Sequence, residues 1–154
     1  MIDRASRSAA RPERRMLWQS VWGLEYVPPR SARKLVSWLD RLFDLPHDDW
    51  LAIADAVRRD SSRLERVGAA RQRLAAIVSE HRLELVAWFV RDLVDTAVHH
   101  ALRRDSSRDR ESRAAAGAAR DAAYLAALAI AARNWLTDAD YQELSAPFAI
   151  GVGM

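Results

Sequence analysis

The residues whose types and spacing suit chemistry lie in the middle of the chain. Asp92, Asp95 and His99 are separated by three and four positions. On a helix they share one face and offer carboxylate and imidazole ligands, which makes them a candidate metal set. That face is also the polar side of its helix, where the same spacing serves an Asp95–His99 pair turned to solvent. His100 falls by helical angle within the apolar face of this segment, and Asp121 falls within the apolar face of the alanine-rich segment that follows. If the two faces meet, His100 and Asp121 form a buried pair, because a buried charge requires a partner. Such a pair is either a tuned acid–base couple or a core contact that fixes helix register. No nucleophile lies nearby in the sequence, which favours the register reading. Arg71 also interrupts an apolar stripe and is the third expected member of this buried polar network.

A second concentration of functional side chains opens the chain. Arg4, Arg7, Arg11, Arg14 and Arg15 precede Trp18 and Trp22. Arginine contacts phosphates, and tryptophan stacks on bases or sits at a membrane interface. Arg11, Arg14, Arg15, Trp18 and Trp22 are therefore candidate interaction residues. The competing reading is an arginine-rich lead followed by a helix whose tryptophans pack on the body.

Signatures of catalysis are missing. The sequence has no phosphate-binding glycine loop, no G-x-S-x-G, no H-E-x-x-H and no E-x-x-H pair. It has no cysteine, which excludes disulfides, thiolate metal sites and cysteine nucleophiles, and points to a cytoplasmic setting. No cofactor is expected. No charge-free stretch approaches the length of a membrane span. Half of the 154 residues are apolar and 29% are charged, an ordinary globular composition. The net charge of +3 is unevenly placed: residues 1–34 carry eight basic and three acidic side chains, so the remainder sums to −2. A near-neutral body lacks the strong basic face of most DNA-binding domains.

Abundant alanine and arginine, few glycines and prolines, and no cluster of β-branched residues favour helix throughout. A short helix is expected from about Pro12 to Trp22, followed by an extended break at Pro28-Pro29. Ser31 is placed to cap a helix running to about Phe43, with Leu35, Val36, Leu39, Leu42 and Phe43 on one face. After Pro46, Asp48 and Asp49 suit the first turn of a second helix carrying Trp50, Ile53, Ala54 and Val57. Ser62-Arg63-Leu64-Glu65 reads as a capping box. From it a heptad-like seam runs through Leu64, Val67, Arg71, Leu74, Val78, His81 and Leu85, with a break expected near Ser79–Leu83. A further helix runs to about Arg104. An alanine-rich helix then spans about Ser112–Leu136, with apolar residues on more than one side. Thr137 opens a last short helix that Pro147 stops.

One internal regularity stands out. Arg58-Arg59-Asp60-Ser61-Ser62-Arg63 recurs as Arg103-Arg104-Asp105-Ser106-Ser107-Arg108, and Gly68-Ala69-Ala70-Arg71 recurs as Gly117-Ala118-Ala119-Arg120. Duplication of a helical hairpin is one reading, and biased composition is the other. Under duplication each glycine should sit where another helix approaches closely.

The sequence thus describes an all-α protein, an up-and-down bundle of four to five main helices with a basic segment at 1–30, a helical body at 31–147 and an apolar tail at 148–154. The expected function is that of a non-catalytic interaction or scaffold protein with a protein partner or a second copy of itself. Its surplus of aromatic and apolar residues, including six tryptophans, supports that expectation. One alternative is nucleic-acid association through the N-terminal segment. The other is a metal- or acid–base-dependent enzyme using Asp92, Asp95, His99, His100 and Asp121.

Overall fold

The computed structural model describes residues 27–103, 110–146 and 148. Among them there are six α-helices and no strand. The helices are α1 (Pro29–Phe43), α2 (His47–Arg59), α3 (Arg63–Val78), α4 (Glu80–Arg103), α5 (Arg110–Ala131) and α6 (Asp138–Ser145), with a 3₁₀ turn at Arg133–Trp135 between the last two. The expected helix at Pro12–Trp22 lies outside the described residues.

α5 is the axis of the fold. It packs against α1, α2, α4 and α6. Its sequence explains this position: Ala119, Ala122, Ala123, Ala126, Ala127, Ala129 and Ala131 are all buried, together with Leu128 and Ile130. Short side chains let several neighbours approach a helix, and a helix apolar on more than one side must be covered on more than one side. The expected two-sided covering is observed. Helix α6 begins as the sequence indicates, with the Thr137 hydroxyl accepting the Asp140 N–H at 3.1 Å.

α1 starts two residues earlier than expected. Pro29 occupies its first turn, where the missing N–H costs nothing, and Ser31 is buried inside the helix instead of capping it. Its buried face carries Leu35, Trp38, Leu39, Leu42 and Phe43. Trp38 meets the ring of Phe148 edge-on at 5.6 Å, and Trp50 of α2 meets the same ring at 6.1 Å. The start of the expected apolar tail is thus sealed inside the core, since Phe148 is fully buried.

Two local expectations fail in α3. Ser62 precedes the helix but makes no capping bond. Its hydroxyl instead donates to Asp60 and accepts from Arg66, so side-chain ion pairing displaces the capping box. The buried stripe is Arg63, Val67, Ala70 and Leu74; it keeps Val67 and Leu74 of the expected seam and puts Arg63 and Ala70 in place of Leu64 and Arg71. Leu64, Arg71, His81 and Leu85 of that seam are exposed. The expected break does occur, at Ser79, whose φ is 82°. That residue ends α3 by donating its N–H to Ala75 O at 3.1 Å, and its hydroxyl accepts the Arg82 N–H at 3.3 Å to start α4.

The two copies of the repeat are not equivalent in their surroundings. The first forms the α2–α3 turn, with Arg58 and Arg59 in the last turn of α2. The second begins at the end of α4 and then passes outside the described residues. α4 and α5 pack along each other, whereas α2 packs chiefly on α5, and α3 on α6 and α4. Neither Gly68 nor Gly117 has an atom of another helix close to it, so the expected close approach at these glycines is absent. Arg66, which ties the first turn together, has Glu111 as its counterpart forty-five positions on.

Candidate interaction surface

The expected buried network does not form from its described members. Arg71 and Asp121 are both exposed. The reason is the position of α3: it leans on α6 and the start of α4, leaving the Arg71 face turned outward. The side chain of His100 lies outside the described part, as do Arg11, Arg14, Arg15, Trp18 and Trp22.

Asp92, Asp95 and His99 do share a face of α4, but they do not converge. Asp92 and His99 are exposed. Asp95 turns toward α5, where it accepts a hydrogen bond from the Tyr124 hydroxyl and lies 3.8 Å from Arg120 Nε. Among the described residues no group of three His, Asp or Glu side chains is arranged to hold a metal ion. Arg91 places its guanidinium 5.2 Å from the centre of the Tyr124 ring. Partial burial and the bond to Asp95 push the Tyr124 phenol up to about 12. A phenol that holds its proton so firmly makes a poor base at neutral pH. The cluster therefore reads as a clamp between α4 and α5.

A second polar system, invisible in the sequence, joins α3 to α6. Arg73 forks onto Asp140, with Nε at 3.0 Å and Nη2 at 2.7 Å from the two carboxylate oxygens. This guanidinium holds the Asp140 carboxyl below its ordinary range. Arg66 donates to Glu143 at 2.6 Å and also to Asp60, binding the α2–α3 turn to α6. Arg63 is buried, and its Nη2 donates to Ala146 O at 3.4 Å. Burial lowers its basicity. The sequence places Asp140 in the first turn of the last helix, as observed, but it assigns no tertiary pairing to Arg63, Arg66, Arg73 or Asp140. The only available signal was their placement on alternate turns of short amphipathic helices.

Among the described residues lie two half-open clefts. One, of about 350 Å³, is lined by Val27, Pro28, Pro29, Ile77, Val78, Arg82 and Trp135. The other, of about 280 Å³, runs between α3 and the start of α4 beside Arg71, Glu80 and Glu84. Neither brings together a nucleophile, a base and a group to orient it.

The feature that remains is apolar exposure. Leu64 is 81% exposed, Trp88 68%, Ile77 63% and Leu85 44%. On α4 these side chains form a stripe. Leu83, Val86, Val90, Leu93, Val94, Ala97 and Val98 face the core. His81, Leu85, Trp88 and Asp92, at steps of four, three and four, run along the opposite side. α4 therefore carries two faces of helical period, one buried in the fold and one open. No helix among the described residues is long and apolar enough to cross a membrane. No family model, no curated protein and no solved structure matches this chain.

Proposed function

We propose that this protein is a non-catalytic helical interaction module that binds another protein chain through the outer surfaces of α3 and α4. The exposure of Trp88 carries the reading. A tryptophan left two-thirds in water beside Leu85, one turn away, forgoes burial that a core position would supply. Tryptophan anchors are among the side chains that dominate protein interfaces. The ion pairs Arg66–Glu143 and Arg73–Asp140 hold α3 to α6, and among the described residues no catalytic constellation lies on this surface.

The test compares the chain with a variant carrying Leu64→Ser, Ile77→Ser, Leu85→Ser and Trp88→Ser. These positions are exposed, so the variant should melt within a few degrees of the parent, because surface changes usually stay within about 0.5 kcal/mol each. Proximity labelling in the source cell should show partners, copies of the chain included, that the parent holds and the variant loses. Retention of every partner by a folded variant ends the reading.

A further inference from the structure

We propose that the outer face of α4 pairs antiparallel with α4 of a second copy of this chain. The inference rests on the interaction-module reading and names its partner. Its basis is the order of residues along the open stripe. His81, Leu85, Trp88 and Asp92 are spaced four, three and four, so the stripe is symmetric about the point midway between Leu85 and Trp88. A two-fold axis through that point sets Leu85 against Trp88 of the other copy, twice, and His81 against Asp92, twice. An isologous contact needs a patch that complements itself in this way. The apolar pair lies at the centre, and the polar residues that can pair lie at the ends, as an interface core and rim require.

The flank of the stripe is complementary as well. Glu84 and Arg91 lie on one side of it, both exposed. In an antiparallel helix pair, residues on the same flank face their symmetry mates. The axis that pairs Leu85 with Trp88 brings Glu84 opposite Arg91 of the second copy, twice. Arg91 is held in place for this by its stacking over Tyr124. Asp95, on the same flank, is occupied by Tyr124 and Arg120 and does not compete. The core side of α4 is fixed by Val86, Val90, Leu93 and Val94, so the open face is presented by an anchored helix. A contact of one helix from each copy is small, about 1,200 Å² or less, the class of weak and reversible interfaces.

The experiment is sedimentation equilibrium of the full chain over micromolar concentrations, with thermal melting to confirm that every variant is folded. The parent should show a reversible monomer–dimer equilibrium. Glu84→Arg sets like charges opposite each other at two symmetric places and should weaken the dimer at least about tenfold. Adding Arg91→Glu to it reverses both charges and should restore the dimer. Orientation is read by cross-linking, which the cysteine-free sequence makes simple. His81→Cys and Asp92→Cys chains, mixed, should form a disulfide with each other. Neither should do so alone, because like residues would lie about 16 Å apart along the helix axis. A parent that stays monomeric overturns the proposal. So does a dimer that ignores Glu84→Arg, a charge swap that fails to rescue a folded double variant, or a His81→Cys chain that cross-links to itself as readily as to the mixture. A monomeric parent whose partners are lost on removing Leu64, Ile77, Leu85 and Trp88 overturns the dimer alone and leaves the module reading in place.

Discussion

Ser79 offers the sharpest test of the fold. Its φ of 82°, with ψ at 145°, is a conformation that side chains adopt only under strain. Holding a non-glycine residue there costs about 1–3 kcal/mol. In return the residue stops α3 through its own N–H and starts α4 through its hydroxyl, which accepts the Arg82 N–H. Replacement by alanine keeps the strain and removes the cap, a loss of about 1 kcal/mol. Replacement by glycine releases the strain. It surrenders only a few tenths of a kcal/mol of capping and about 0.4–1 kcal/mol through the freer unfolded chain. Ser79→Gly should therefore match or slightly exceed the parent in stability, and Ser79→Ala should fall below it, with about 1–2 kcal/mol between the two variants. In a continuous helix the order is the reverse, with alanine ahead of glycine by about 1 kcal/mol. The assay is urea unfolding with equal m-values. The gap corresponds to a few degrees of melting temperature in a chain of this size. If Ser79→Ala proves as stable as Ser79→Gly or more so, α3 and α4 are one helix in solution and the two-helix account is wrong.

Phe148→Ala should cost about 3–5 kcal/mol, because it empties a fully buried site between Trp38 and Trp50; a loss under 1 kcal/mol in denaturant unfolding would mean that the residue is not sealed in the core. Asp140 has its carboxyl held below the ordinary value of 3.8 by Arg73, so its contribution is present above that value and lost as pH falls through the lower folded one. Asp140→Asn should accordingly lower stability at neutral pH and flatten the acid limb of the stability profile, and a variant with an unchanged acid limb would show that the pair is not formed. In a spectrophotometric titration, the phenolate signal removed by Tyr124→Phe should be centred near pH 12 and not near 10. A lost step centred at 10 would mean that Asp95 does not hold the hydroxyl.

The helical content was legible in the sequence because it depends on local preferences. Alanine and arginine favour helix, Pro46 separates α1 from α2, and Thr137 caps α6, whatever lies around them. The central place of α5 was also foreshadowed, since its alanines and other apolar residues lie on more than one side of the helix. What only the tertiary structure decided was which face of each helix meets which neighbour. The seam expected through Leu64, Val67, Arg71, Leu74, Val78, His81 and Leu85 has helical periodicity, but so does the buried stripe of Arg63, Val67, Ala70 and Leu74, which shares Val67 and Leu74 with it. Period alone cannot choose between two overlapping stripes; in the fold Val67, Ala70 and Leu74 are buried, and Arg73 and Arg66 reach Asp140 and Glu143 of α6. That pairing joins residues some seventy positions apart, which no local pattern encodes. The same rotation exposes Arg71 and takes the hydroxyl of Ser62 from the helix end. It also leaves Leu64 in water. The kink at Ser79 then separates His81 and Leu85 from the seam they prolong in the sequence. Local preference chose the helices, and long-range ion pairing and packing chose the faces they show.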